Sequence, residues 1–498
     1  MRTLSNAGLE ALAGSATIPG YDRDAVTVGV VHLGVGAFHR AHLARYLDRL
    51  LDDGADGLGW GICGVGVLPG DGAMQAALLA QDCLYTLVET APDGTQAVRV
   101  VGSIVEYLLA PDDPEAVVER MAGEAVRIVS LTITEGGYEL RDDDPDVRHD
   151  VEHPSSPRTA FGLMAEALRR RREQGIAPFA VVSCDNLPGN GALARARLTA
   201  FARLRDDGLA DWIERETPFP SSMVDRITAA TTDAHRAELA ERHGIEDRWP
   251  VFCEDYAEWI LEDAFPAGRP PLESVGVRLV EDVEPYELMK LRLLNGSHQA
   301  LAYLARLAGH RLVHEAAQDP PLRALLAAYM EREARPTLPP VPGIELDDYI
   351  RTLLERFSNP HVGDTIDRLC AYGSDRLPQF LVPVIRRQLE TGGDLRRSAT
   401  AVAGWARYCE GTDEDGEPIE VVDRRAERLT ANARRQRSEP LAFVEDRELF
   451  GDLAEHEPFT TAYTAALDSL HRHGARATVE ALADAPDPQH GPPGGPHG

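Results

Sequence analysis

Lysine is nearly missing from this chain. Of its 51 lysines and arginines, a single one is lysine, Lys290. Arginine stays protonated in proteins, whereas a buried lysine amine can be brought to neutrality and used as an acid or base. A chain that uses arginine everywhere else therefore marks Lys290 as a candidate for amine chemistry. Cysteine is scarce too, with six residues at 63, 83, 184, 253, 370 and 409 and no CxxC spacing. That argues against a zinc ribbon or a disulfide framework and fits free thiols in a reducing cytoplasm. No run of about 18 apolar residues occurs, so no membrane span is expected. The stretch Met1-Arg2-Thr3-Leu4-Ser5-Asn6 lacks the apolar core of a secretory signal. Basic charge falls short of acidic charge by 30. A surface this acidic repels phosphate backbones and anionic lipid, so neither nucleic acid nor membrane is expected as a partner.

What is present is an ordinary globular composition, 43% hydrophobic over 498 residues, enough for two or more cores. The apolar run Val26 to Leu33 reads as a strand buried on both faces of a parallel sheet. Gly59 to Val67, Val126 to Thr134 and Phe179 to Cys184 read as further strands. Residues 85–89 and 98–101 resemble an antiparallel pair. Helical patterns at 114–121 and 161–173 separate these strands, and Val277–Val280 closes the series as a last strand. Alternating strands and helices predict an α/β fold with a doubly wound, Rossmann-type sheet. From Glu284 the character changes. Helical patterns dominate at 285–307, 321–333, 346–357, 381–390, 396–409 and 459–473. The expected organisation is a Rossmann-type domain over 1–283, a mostly α-helical substrate domain over 284–484, and a Pro/Gly-rich disordered tail over 485–498.

The first strand runs into Gly34-Val35-Gly36-Ala37-Phe38, and a helical pattern follows. Two glycines there permit a tight turn and a close approach by a pyrophosphate, which the helix N-terminus stabilises. The third glycine of GxGxxG is missing, since its position holds His39. An acidic residue after the second strand would bind the adenosine ribose hydroxyls and select NAD. Asp71 is the candidate, although it lies farther downstream than that rule implies. His39 and His42 are spaced as metal ligands, yet no carboxylate or cysteine completes a set, so no metal site is expected.

Around Lys290 the sequence reads Tyr286-Glu287-Leu288-Met289-Lys290-Leu291-Arg292-Leu293-Leu294-Asn295-Gly296-Ser297-His298. On a regular α-helix with Lys290 at zero, Glu287 lies near about 60°, His298 near about 80° and Asn295 near about 140°. All four share one face. Lys290 and His298 are then about 12 Å apart along the axis, room for a substrate to lie between them. Gly296 costs about 1 kcal/mol in a helix interior, which implies a close approach by something at that point. Tyr286 and Lys290 match the YxxxK spacing of short-chain dehydrogenases, but the position in the chain and the turn type differ, and the match is taken as coincidence. Two other segments look chemical. Ser183-Cys184-Asp185-Asn186 leaves a strand at its carboxyl end, where open α/β sheets bind ligands, so Asp185 or Asn186 would face the crevice. Asp225 sits among apolar residues, where a pair with Arg226 is the alternative to a functional role.

Taken together, Gly34-x-Gly36-x-Phe38-His39-Arg40-x-His42, Thr132-Ile133-Thr134-Glu135-Gly136-Gly137-Tyr138, Ser183-Cys184-Asp185-Asn186, Met223-Val224-Asp225-Arg226-Ile227 and Met289-Lys290-x-x-x-Leu294-Asn295-Gly296-Ser297-His298 resemble the polyol-specific long-chain dehydrogenases. Arg356-Phe357-Ser358-Asn359-Pro360 and Asp367-Arg368-Leu369-Cys370 extend the likeness. The resemblance implies a zinc-independent NAD(H) enzyme that interconverts a polyol and a ketose, with D-mannitol and D-fructose as the first pair. It implies that Lys290 is the general acid/base, that Asn186 and Asn295 are oxyanion-stabilising amides, and that His298 orients substrate. Asp225 and Arg368 would contact substrate hydroxyls, and Glu287 would relay protons. The cofactor would be held by Gly34, Val35, Gly36, Ala37, Phe38 and Asp71. It also implies a cytoplasmic monomer. Fructuronate or tagaturonate reduction and arabinitol oxidation remain alternatives within the family. A Schiff-base lyase or aldolase using Lys290, and a non-catalytic nucleotide sensor, are alternatives of other classes.

Overall fold

The computed structural model describes residues 2–141 and 143–484, so the tail expected over 485–498 lies outside the described residues. The chain forms two compact units, one running to Glu287 and the other starting at Leu288.

The first unit is built on a five-stranded parallel sheet of β1 (Val28–Leu33), β2 (Gly61–Gly66), β3 (Ile104–Leu109), β4 (Ile128–Leu131) and β5 (Ala180–Ser183), in the spatial order β3-β2-β1-β4-β5. Every residue of β2, β4 and β5 is buried, which is why these strands read as largely apolar runs, with Ser130 and Ser183 the exceptions. Alternate residues serve opposite faces. Val31, Leu33, Cys63 and Val65 pack into one core, with α3 (Pro114–Ala122), α4 (Ala160–Gln174) and α5 (Asn190–Arg203) supplying Val118, Met121, Leu168 and Leu198. Val30 and Ile62 face the other core, with Leu47 and Leu50 of α2 (Leu43–Asp52). Between β1 and α2 lies the short helix α1 (Ala37–Ala41). The strand order reverses at β1, so the loops after β1 and β4 flank the crevice where such sheets bind ligands.

Among the described residues, two three-stranded sheets and a two-stranded one (Arg2–Thr3 with Ile245–Glu246) accompany this one. Tyr85–Thr90 and Gln96–Val101 form the expected antiparallel pair, extended by Val251–Glu254. The segment expected to close the main sheet does not join it. Arg278–Val280 instead pairs with Glu258–Glu262, which in turn pairs antiparallel with Ser222–Asp225. The pattern identified a strand but carried no information on its partner.

The second unit is helical. Around the buried α7 (Gly296–Leu307) are gathered α8 (Pro320–Tyr329), α10 (Ile366–Cys370) and α11 (Arg396–Tyr408), with a C-terminal helix over 457–484 that kinks at Gly474. The helix expected over 285–307 is not one regular α-helix. It consists of α6 (Glu284–Lys290), a wide π-turn (Leu291–Asn295), and α7. The α9 helix (Leu346–Phe357) matches its pattern to the residue.

Candidate active site

In the first unit the site grows from the turn after β1. Gly34 has φ of +93°, and a Cβ there would overlap the carbonyl oxygen of Thr132, so no other residue fits. Gly36 begins α1 without a side-chain cap. An added Cβ at Gly36 would find no atom nearer than 4.0 Å, so the space over this helix start is open. His39 occupies the place of the absent third glycine. Its ring is fully buried and stacks on that of His32 at 3.5 Å with the planes 10° apart. His32 is fixed in turn by Ser130 Oγ at 2.8 Å and Thr132 Oγ1 at 2.9 Å. Burial pushes His32 down to about 3 and takes His39 well below its ordinary value, so the stack is neutral. Helix and strand therefore meet through two uncharged rings, where the glycine fingerprint would bring backbone to backbone.

Asp71 stands at the carboxyl end of β2, as its distant sequence position did not suggest. A short turn (Pro69–Asp71) folds back so that its Oδ2 accepts from the amides of Val67 and Leu68, each at 2.9 Å.

The loop after β5 separates its two polar residues. Asn186 is exposed. Asp185 is buried and clamps the loop after β4. It accepts from the amides of Ile133 at 3.2 Å and Thr134 at 2.9 Å and from Tyr138 Oη at 2.8 Å. Thr134 has a positive φ of 59°, so Asp185 holds a strained turn on the loop after β4. Asn190, which the sequence reading passed over, binds Ser222 from both ends of its amide, at 2.7 and 3.0 Å. The amide of Gly189 donates to both oxygens of Glu287, at 3.1 and 2.9 Å, which braces the loop bearing Asn186. Asp225 is buried at the end of its strand, opposite Glu258. The alternative pairing of Asp225 with Arg226 does not form. Arg226 binds Glu89 at 2.5 Å and the Glu254 and Ala41 carbonyls instead.

In the second unit, Lys290 ends α6 with only 4% of its surface exposed. The π-turn follows at once, and Gly296 closes it by donating to Leu291 O, five residues back. Angles counted at 100° per residue therefore fail beyond Lys290, since a π-turn holds more residues than an α-turn. The close approach inferred at Gly296 comes from within the protein. A Cβ there would overlap the hydroxyl of Tyr329, which donates to Arg292 O at 3.0 Å. Asn295 ends the π-turn with a buried Oδ1 that has no partner. His298, in the first turn of α7, lies 4.6 Å from the Phe357 ring. Arg368, on α10, is gripped by Asp364 through Nε and Nη2, each at 2.5 Å. Sequence reasoning missed Tyr329 and Asp364, for neither has a local signature. Among the described residues no group of three or more His, Cys, Asp or Glu is placed to hold a metal ion, and no helix is long and apolar enough to cross a membrane.

The fold and these motifs are those of a polyol-specific long-chain dehydrogenase. Residues 28–274 match the mannitol dehydrogenase Rossmann domain and residues 282–471 the mannitol dehydrogenase C-terminal domain, and the chain belongs to the mannitol dehydrogenase family. It is 46% identical to mannitol 2-dehydrogenase of Phaeosphaeria nodorum over 480 residues, covering 94% of this chain and 84% of that one. Among solved structures it resembles the Pseudomonas fluorescens mannitol 2-dehydrogenase ternary complex with NAD and D-mannitol (TM-score 0.91, 44% identity, 97% of this chain and 100% of that chain). It also resembles a substrate-free D-sorbitol dehydrogenase (TM-score 0.84, 35% identity, 96% and 100% covered).

Proposed function

We propose that this chain is an NAD-dependent dehydrogenase that interconverts D-mannitol and D-fructose, with Lys290 as its general acid/base. The observation that carries the reading is the burial of the chain's one lysine, 4% exposed, at the mouth of a π-turn. π-turns concentrate at functional sites. The residues present suit a dinucleotide. The glycine turn leaves open space over an uncapped helix start, and Asp71 keeps a carboxylate oxygen available at the end of β2 for ribose hydroxyls. In this reading Gly34, Val35, Gly36, Ala37, Phe38 and Asp71 hold the cofactor, which supplies a hydride acceptor in oxidation and a hydride donor in reduction.

The chain's own residues do the rest. Neutral Lys290 takes the proton of the C2 hydroxyl during oxidation, and its ammonium form returns it during reduction. Asn186 and Asn295 donate amide hydrogen bonds to the oxygen as it gains negative charge, a preorganised stabilisation that commonly accounts for much of the rate enhancement in such reactions. Glu287 passes protons onward. His298, Asp225 and Arg368 orient hydroxyls along the substrate. Because the amine must be neutral to accept and charged to donate, oxidation rises with pH and reduction falls.

The test is an NADH-oxidation screen of the purified protein across D-fructose, fructuronate, tagaturonate and xylulose, with D-mannitol, arabinitol and D-sorbitol in the reverse direction. D-sorbitol is included because of the 35% identity to a D-sorbitol dehydrogenase. D-Fructose and D-mannitol are expected to give the highest kcat/KM. No change in NADH absorbance with any of them, together with borohydride trapping of a substrate on the protein, would replace this reading with a Schiff-base enzyme.

A further inference from the structure

The grip of Asp364 on Arg368 bears on which substrates the site accepts. Asp364 stands just before α10 and Arg368 lies within it, four residues on. The carboxylate receives the guanidinium edge-on, Nε to Oδ1 and Nη2 to Oδ2, both at 2.5 Å. It also accepts from the Thr365 amide at 2.9 Å, while its own carbonyl receives Val313 N at 3.0 Å. Asp364 is thus pinned by backbone on two sides, and its side chain is 8% exposed against 51% for Arg368. Burial opposes ionisation of Asp364, but the bonds and charge of Arg368, with a smaller contribution from His298, outweigh it and hold the carboxyl below its ordinary range. The other end of α10 is braced as well, since Arg376 donates to the Arg368 and Leu369 carbonyls at 2.9 and 3.3 Å.

The consequence is chemical. A guanidinium has five N–H donors in a fixed fork. Asp364 takes two and cancels the charge, and three remain on the outer edge. Such a group suits hydroxyl oxygens, which need a donor and no counter-charge. It does not suit a carboxylate, which would meet a neutralised pair with a like charge immediately behind it. We propose that Asp364 is a specificity-determining, positioning residue: by neutralising and aiming Arg368 it fits the site to uncharged polyol and ketose chains and sets it against chains that end in a carboxylate. This rests on the reading of Arg368 as a substrate contact.

The experiment compares kcat/KM for D-fructose with that for fructuronate, its counterpart bearing a terminal carboxylate, in the wild-type enzyme, Asp364→Asn and Asp364→Glu. The wild type is expected to favour D-fructose by at least about tenfold, and fructuronate should compete with D-fructose only at concentrations well above the D-fructose KM. Asp364→Asn, which frees the arginine charge, is expected to move the ratio toward fructuronate by about tenfold or more, chiefly through KM. Asp364→Glu keeps the charge and should keep the preference. A merely structural role would lower both substrates by one factor, and an unchanged ratio overturns the proposal. So does a wild type that binds fructuronate as tightly as D-fructose, a result that requires no variant to fold. Absence of turnover with every polyol and ketose sinks the dehydrogenase reading itself, whereas turnover with an unchanged ratio sinks this one alone.

Discussion

Lys290 was legible in the sequence because it is one against a background of arginine, and that background also defines its test. Lys290→Ala should abolish turnover in both directions while NADH still quenches or shifts its fluorescence on binding. Lys290→Arg should be as inactive, because a guanidinium keeps its proton at any working pH. Near wild-type rates in either variant would remove the amine from the mechanism. Tyr286→Phe should be mild, since the Tyr286 ring packs under the Arg278 guanidinium at 5.8 Å, a contact that a phenyl ring keeps. Other residues were less legible, each for a physical reason. Asp185 and Asn186 are neighbours with equal claims to the crevice, and only the direction of each side chain tells a loop clamp from an exposed amide. Asp364 is one of 81 acidic residues, and nothing local distinguishes a carboxylate that chelates an arginine from one facing water.

At the scale of elements, the strands of the parallel sheet were readable because burial on both faces leaves a largely apolar signature. Pairing was not, which is why Arg278–Val280 was assigned to the wrong sheet. The π-turn left no trace in the pattern either, because Leu291 to Leu294 suit an α-turn and a π-turn equally well. Its maintenance depends on a contact distant in sequence. Tyr329 reaches Arg292 O only because Gly296 has no side chain, and Tyr329 itself adjoins a second π-turn (Met330–Ala334). This predicts a coupled pair. Tyr329→Phe should cost about 1 kcal/mol through the lost hydrogen bond. Gly296→Ala should cost about 1–3 kcal/mol through overpacking, despite alanine's better helix propensity. The double variant should be more stable than the sum of the two, by about 1 kcal/mol, because the methyl's worst overlap, with the tyrosine hydroxyl, is then gone. Chemical denaturation of the four proteins measures this. Strict additivity would show that the tyrosine hydroxyl and the glycine do not share that space.

For the whole molecule, the governing quantity is the charge of −30 on a chain whose cations are almost all arginine. An anionic dinucleotide approaching such a surface is not drawn by excess positive charge, so in the proposed reading its recognition would fall to backbone amides at the glycine turn, a feature composition cannot reveal and spacing can. Arginine also lends itself to forked pairing, and the chain uses this to join its helices. Glu166 of α4 accepts from Arg169 at 2.8 Å, Arg170 at 3.0 Å and Arg205 at 2.9 Å, and Arg170 continues to Glu115 of α3 at 2.6 Å. Burial works against the charged form of Glu166, but the three arginines outweigh it and bring the carboxyl from its ordinary 4.5 down to about 2. A carboxyl depressed on folding releases its proton more readily in the native state. Its contribution is therefore complete above about pH 4.5 and is lost as pH falls toward 2. Discounted for the partial exposure of the arginines, it is on the order of 1–2 kcal/mol. Glu166→Gln should accordingly unfold a few degrees below the wild type at pH 7 in a calorimetric scan, and the gap should narrow steadily between pH 4.5 and 2. A gap that stayed constant over that range would assign the loss to packing of the side chain, and the arginine cluster would then be only the way a large acidic protein arranges its arginines.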